Sequence, residues 1–151
     1  MDHHRAIENL LYRYAELIDN GDLEGVARLF EHGEIRAPVA SSSVKGYEEV
    51  LAMYHKSTRI YPETGTPRTR HLTSNAIIEV SEDGDSAEAR SCFTVFQVTD
   101  SLPLQPIISG RYHDLFDRAH GKWRFRTRTM LPDLYGDLSQ HLLYDASTIT
   151  S

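Results

Sequence analysis

One histidine and one aspartate carry the chemistry that this sequence suggests. His71 lies near the start of a β-branched run, residues 69–80, where the end of a strand can hold an imidazole at a cavity. Asp19 lies far upstream, near the predicted end of the first helix. Histidine is a good general base, and a carboxylate on its other nitrogen fixes the tautomer and stabilises the imidazolium. If the two residues meet in space, the chain is a small acid–base enzyme.

Each of these residues also has a purely structural interpretation. His71 would then be a histidine satisfied within a β-rich core, and Asp19 an exposed aspartate near a turn. A carboxylate in the last turn of a helix faces the negative end of the helix dipole, which local physics disfavours. Residues that break a local rule without obvious gain often belong to functional sites. The residues alone leave both interpretations open.

Composition and charge exclude several other classes. The chain of 151 residues fits one domain, 1–151, and its 40% hydrophobic and 25% charged residues are ordinary for a soluble globular protein. A formal charge of −6 argues against nucleic-acid binding. No segment approaches the ~18 apolar residues of a membrane span, and the N-terminus does not resemble a signal peptide. The single cysteine, Cys92, suits a reducing compartment, so we expect a cytoplasmic protein.

We predict no metal site and no cofactor. The eight histidines are scattered, and none has a zinc-type spacing to acids or to Cys92. The sequence contains no glycine-rich phosphate loop and no nucleophile elbow.

Three helices are predicted in the first part of the chain. The first has an apolar face with helical spacing and ends at Asn20-Gly21, because glycine suits the left-handed cap. Asp22 is the predicted N-cap of the second helix, and a third spans 47–58. The apolar face of the first helix consists of Ile7, Leu10, Leu11, Tyr14, Leu17 and Ile18.

The rest of the chain is mainly strands. An extended piece at 34–38 and a serine loop at 41–43 precede the third helix, and the long strands follow it. These are expected at 69–80, 86–98, 107–118 and 123–131, with a hairpin at the Asp83-Gly84 turn and a loop containing Pro103 and Pro106. The tail, 133–151, is irregular apart from a candidate helix at 138–143, and is expected to cover a pocket or an interface.

This order of elements predicts an α+β fold. A curved antiparallel sheet wrapping three N-terminal helices as a cone is the most economical packing. The mouth of such a cone is a natural ligand pocket.

Several motifs up to about Pro132 together resemble the SnoaL-like group of the NTF2-like superfamily, which has this cone-shaped fold. They are residues 14–22, Thr69-Arg70-His71 with Asn75, residues 110–112 and residues 121–125. The chain is similar to the scytalone dehydratases and lindane dehydrochlorinases of this superfamily. Both are cofactor-free lyases with an Asp–His pair, which the resemblance places on Asp19 and His71.

The resemblance also bears on other site residues. The arginine of the dehydrochlorinases falls on Arg128, where it would stabilise a developing anion. Their pocket lysine falls on Tyr14 and is not kept, and the second histidine of the scytalone dehydratases falls near Phe96. Strict alternation along the last strand puts Arg128 on the same face as Arg124 and Arg126, which are expected to be solvated, so a pocket role requires a bulge or a sharp twist.

Three tyrosines are candidate substrate-binding residues. The hydroxyls of Tyr14, Tyr54 and Tyr112 would orient a substrate or donate a proton, although residues at such spacings also serve simply as core. With the Asp–His pair they suggest a lyase, isomerase or cyclase acting on a small, largely apolar molecule of the carbonyl-bearing or aromatic polyketide type.

A second hypothesis is a non-catalytic module of the same fold, like the small subunits of ring-hydroxylating dioxygenases. Either protein is expected to form a homo-oligomer, a dimer or a trimer. The reason is that the outer face of the sheet, with Cys92, Phe96 and Val98, would otherwise expose apolar surface.

Overall fold

The computed structural model describes residues 1–145 and 147 and confirms the α+β class. Three helices pack against one curved, unclosed six-stranded sheet whose strand order is β2-β1-β6-β5-β4-β3. The helices are α1 (His3–Asp19), α2 (Leu23–Leu29) and α3 (Gly46–Ser57). The strands are β1 (Glu34–Ala37), β2 (Ser42–Lys45), β3 (Thr69–Val80), β4 (Ser86–Thr99), β5 (Leu102–Ala119) and β6 (Lys122–Tyr135).

The first helix ends where the sequence predicts. Gly21 has φ +74°, and a Cβ atom there would lie 2.1 Å from the carbonyl oxygen of Gly65. Only glycine avoids both the backbone strain and the clash. The next helix starts at once, because the Asp22 carboxylate accepts a hydrogen bond of 2.8 Å from the Gly25 amide.

The sheet differs from the prediction at its β1–β2 edge. Residues 42–45 form strand β2 instead of a serine loop, and they pair with β1 in antiparallel register through Ile35 and Val44. The chain reverses there through a 3₁₀ turn, Pro38–Ala40. In addition, β1 pairs with β6 in parallel, so the sheet is antiparallel except at that one junction.

The last two strands are longer than predicted and include prolines. Pro103 and Pro106 belong to β5, where the sequence predicts an interrupting loop. They precede Ile108, the residue at which pairing with β6 begins, so among the described residues this part of β5 is paired in strand register only with β4, and proline is tolerated in such an edge segment. Pro132 lies within β6 beside a shift in register between Ser109 and Gly110.

The inner face of the sheet and the helices share one core. The predicted alternation in β4 is confirmed, since its inward side chains are all buried: Ala87, Ala89, Ser91, Phe93 and Val95. A stack of phenylalanines joins α2 to the sheet, with Phe30 on Phe125 at 4.8 Å and Phe125 on Phe116 at 4.9 Å between ring centroids. In the part of the chain described, no helix is long and apolar enough to cross a membrane.

Candidate active site

Asp19 and His71 meet at the junction of α1 and β3. The Nδ1 atom of His71 lies 2.6 Å from Oδ1 of Asp19, and the His71 amide donates to Oδ2 at 2.7 Å. The Thr69 hydroxyl donates a third hydrogen bond to Oδ1 at 2.9 Å. Both side chains are largely buried, with 9% of His71 and 12% of Asp19 exposed.

These contacts explain why an aspartate is stable at the negative end of a helix dipole. Hydrogen bonds to a carboxylate are stronger than neutral ones, and Asp19 accepts three of them from the first residues of β3. Because a carboxylate can only accept, it keeps a proton on Nδ1 of His71. The neutral imidazole therefore presents the lone pair of Nε2 as its base.

His71 lines a cavity of about 630 Å³ between α1, α3 and the inner face of the sheet. Tyr14 from α1, Tyr54 from α3 and Tyr112 from β5 line the same cavity. Most of the other lining side chains are apolar, among them Ile18, Val44, Met53, Phe93, Val95, Ile108 and Met130. A few polar groups in an apolar cavity are typical of a site for a small organic molecule.

The three tyrosines form a connected aromatic wall. The hydroxyls of Tyr14 and Tyr54 lie 2.5 Å apart, and the ring of Tyr112 stacks on Phe93 at 4.4 Å between centroids. Burial raises the pKa of all three phenols, although the nearby cation of Arg128 opposes the shift. The hydroxyls therefore stay protonated at neutral pH and are able to donate hydrogen bonds.

Arg128 reaches the protein interior because β6 contains a bulge. Phe125 pairs with Phe116 and Arg128 pairs with Asp114, so three steps along β6 match two along β5, and Arg126 lies in the extra step. The bulge turns Arg128 to the face of Phe125, where it is fully buried. The bulge that a pocket role for Arg128 requires is therefore present.

Arg128 does not line the cavity itself. Its Nε and Nη2 atoms donate to the Asp114 carboxylate at 2.8 and 2.9 Å. Its guanidinium carbon lies 4.4 Å from the ring centroid of Tyr14 and 3.7 Å from that of Tyr112. Burial lowers the pKa of Arg128, but the Asp114 carboxylate raises it by more, so the cation persists. The charge supports the tyrosine wall from behind.

Sequence reasoning missed one residue, His141. The candidate helix at 138–143 is wrong: these residues form a turn followed by an isolated bridge between Leu142 and Thr58. This arrangement brings His141 and Leu142 to the lining of the same cavity as His71. The apolar spacing of Leu138 and Leu142 was the available signal that this part of the tail packs against the domain.

Among the residues that the structure describes, no group of three or more His, Cys, Asp or Glu side chains is arranged to hold a metal ion.

Comparison with known proteins decides the family. A family model described as the SnoaL-like domain matches residues 1–129. The chain belongs to the SnoaL-like family. No curated protein matches this SnoaL-like chain significantly.

Solved structures similar to the SnoaL-like chain match it over most of its length. One is an NTF2-like protein with a cystatin-like fold from Novosphingobium aromaticivorans, with 25% identity, 85% of this chain and 80% of the other covered, and a TM-score of 0.71. A proposed scytalone dehydratase from the same organism has 24% identity, coverages of 89% and 86%, and a TM-score of 0.70. The beta subunit of a proposed aromatic-ring-hydroxylating dioxygenase, also from that organism, has 21% identity, coverages of 91% and 94%, and a TM-score of 0.69. The SnoaL-like chain thus has the NTF2-like, cystatin-like fold predicted from its sequence.

Proposed function

We propose that this SnoaL-like protein is an acid–base enzyme in which His71 is the general base. The observation that carries the proposal is the contact of 2.6 Å between His71 and Asp19 at the wall of a largely apolar cavity. The substrate is a small, uncharged, mostly apolar molecule with a carbonyl group, of the aromatic or polyketide type. Its polar atom would lie near His71 and the tyrosine hydroxyls, and its ring against Phe93 and Tyr112.

The reaction starts with proton removal. Nε2 of His71 takes a proton from the carbon next to the carbonyl, the C–H electron pair forms a carbon–carbon double bond, and the negative charge moves to oxygen. Asp19 stabilises the imidazolium that results. Of the two protons on the Tyr14 and Tyr54 hydroxyls, one is used in their mutual bond and the other is free for the substrate oxygen.

The same first step serves three reaction classes. In an elimination the imidazolium gives its proton to the leaving group, and in an isomerisation it gives the proton to another carbon. In a cyclisation the enolate carbon attacks a second carbonyl, and the imidazolium protonates the new alkoxide. Each route returns His71 to its neutral form without any further reactant.

Arg128 enters this proposal as a positioning residue. Its cation lies against Tyr14 and Tyr112 and makes their hydroxyls stronger hydrogen-bond donors. The direct stabilisation of an anion that the resemblance implies would require contact with the cavity, and Arg128 is fully buried behind the two rings.

Deuterium exchange at carbon tests the proposal without knowledge of the natural substrate. 2-Tetralone, a flat uncharged aromatic ketone, is incubated in D₂O, and its loss of α-protons is followed by NMR. We expect catalysed exchange with the wild-type protein and a loss of about 10²–10⁴-fold in His71→Gln, which removes the base. His113→Gln, at an exposed histidine on β5, is the matched control and should match wild type. Equal exchange by wild type and His71→Gln would refute His71 as the base.

The alternative, a non-catalytic subunit of an oxygenase, shares the fold of the dioxygenase beta subunit noted above. A subunit of that kind has no need for a base and its carboxylate at the wall of a cavity. The retained pair of Asp19 and His71 therefore favours the enzyme.

We further propose that the protein is a homo-oligomer, a dimer or a trimer, assembled through the outer face of the sheet. Leu72 on β3 and Val98 on β4 are 50% and 48% exposed there. Val98→Asp should lower the molar mass measured by analytical ultracentrifugation to that of the monomer. An unchanged mass would exclude this face as the interface.

A further inference from the structure

The chain returns across the cavity after β6. We name residues 137–143 the tail strap. Leu138 anchors it in the core with 4% of its surface exposed. Hydrogen bonds fix the rest of the strap. The Arg59 amide donates to the carbonyl of His141 (2.8 Å), and the Leu143 amide donates to that of Ser57 (3.0 Å). Gln97 Nε2 and the Tyr61 hydroxyl both donate to the carbonyl of Gln140, at 3.0 and 2.5 Å. The strap thus has a defined position over the cavity.

His141 is the polar side chain that this strap brings to the cavity. His141 lines the cavity together with His71. Its Nδ1 atom is buried and has no hydrogen-bond partner among the described residues. A buried polar atom without a partner usually costs about 1–3 kcal/mol. Folding alone therefore favours an apolar side chain at this position, like the neighbours Leu138 and Leu142.

The imidazole of His141 is neutral at neutral pH. Its pKa is lowered to about 4, chiefly by burial and also by the neighbouring His71, while Asp19 opposes the shift. A neutral imidazole carries one N–H and one lone pair. Such a ring can donate a hydrogen bond to an oxygen atom, but it does not release a proton at neutral pH.

We propose that His141 binds the carbonyl oxygen of the molecule held beside His71, as the hydrogen-bond donor that polarises it. This deepens the proposed function and rests on it for the choice of ligand. The two histidines then have separate tasks: His71 accepts the proton from carbon, and His141 joins the free hydroxyl of the Tyr14–Tyr54 pair in stabilising the charge that develops on oxygen. A donor held in place before the reaction stabilises such charge without reorganisation. Because the strap carries the donor, the site is complete only with the strap in this hydrogen-bonded position.

Binding of two ligands with the same rings tests this role apart from catalysis. 2-Tetralone carries the carbonyl oxygen, and tetralin has the same skeleton without it. NMR titrations measure both affinities in wild type, in His141→Leu, and in His113→Gln as the control. We expect wild type and His113→Gln to prefer the ketone by ~10-fold, and His141→Leu to lose most of that preference and keep only what the hydroxyls of Tyr14 and Tyr54 supply. An undiminished ketone preference in His141→Leu, or no preference in the wild type, would overturn the proposal.

Two further readouts separate this role from a structural one. His141→Leu should raise the melting temperature, because it replaces an unsatisfied polar ring with an apolar side chain, whereas a structural histidine would lower it. It should also slow deuterium exchange into 2-tetralone by ~10²-fold through kcat. If the proposed general base is wrong but this inference is right, exchange is equal in wild type and His71→Gln, while the ketone preference is still present in wild type and reduced in His141→Leu.

Discussion

Arg128 and Asp114 form a fully buried ion pair between neighbouring strands, with two parallel hydrogen bonds of 2.8 and 2.9 Å. Arg128 on β6 and Asp114 on β5 are paired in register, two residues along β6 from the bulge at Arg126. Their position behind Tyr14 and Tyr112 couples the stability of the sheet to the geometry of the tyrosine wall.

Removing one member of this pair should destabilise the fold strongly. Asp114→Asn leaves the guanidinium buried without a counter-charge, and we expect a loss of about 3–5 kcal/mol in the free energy of unfolding, measured with urea. Asp133→Asn is the matched control, because it breaks a similar two-bonded pair with Arg111 on the surface. Water screens that pair, so the control should change little. Similar losses in both variants would contradict the structural role of Asp114.

Asp19 should control the tautomer of His71. In the wild type we expect the proton on Nδ1, and in Asp19→Asn a mixture of tautomers, measured by long-range ¹⁵N–¹³C correlation NMR. Exchange of 2-tetralone α-protons should fall by ~10²–10⁴-fold in the same variant, because the carboxylate no longer stabilises the imidazolium. Glu16→Gln, an exposed carboxylate one turn earlier in α1, should leave both measurements unchanged. A wild-type His71 protonated on Nε2 would contradict the assignment.

Local patterns are sufficient for the parts of this site that lie on regular elements. The apolar stripe of α1 and its glycine stop determine where Asp19 lies, and the β-branched run determines that His71 begins a strand. The order of the elements does not specify that Asp19 and His71 are in contact. That expectation came from the resemblance to a family. Predicting the burial of Arg128 also requires the bulge at Arg126. The alternation of residue types along β6 does not indicate where such a bulge lies.

His141 lay beyond the reach of such patterns. Its place depends on distant partners, including the amide of Arg59 and the side chain of Gln97, more than 40 residues away along the chain. The tail has a helix-like spacing of leucines, but its backbone groups find partners in α3 and β4, so the strap forms instead. Tertiary hydrogen bonds override weak local preference in such a segment.

The tail strap should loosen when one of its anchors is removed. Tyr61→Phe deletes the hydroxyl that donates to the carbonyl of Gln140, at a cost of ~1 kcal/mol. Hydrogen–deuterium exchange of the Arg59 and Leu143 amides should accelerate by about 5-fold, because both bond across the strap. Tyr12→Phe, which removes an exposed hydroxyl bond to Glu8, is the control and should not affect them. Unchanged exchange at both amides in Tyr61→Phe would show that the strap does not depend on this bond.

His141 should make the protein sensitive to mild acid. In the unfolded chain its pKa is about 6.5, and in the folded protein burial lowers the pKa to about 4. Between these values the unfolded chain binds a proton that the folded protein does not, so stability falls as the pH decreases through this window. The loss reaches at most about 3 kcal/mol near pH 4 and vanishes above pH 6.5.

Urea unfolding of wild type and His141→Leu at a series of pH values measures this contribution. The other histidines titrate in both proteins, so their effects largely cancel in the difference. We expect the difference in the free energy of unfolding in favour of His141→Leu to grow steadily from pH 7 to pH 4, because only in the wild type does folding require a neutral imidazole at position 141. Parallel pH profiles would mean that the His141 ring takes up its proton as readily in the folded protein as in the unfolded chain.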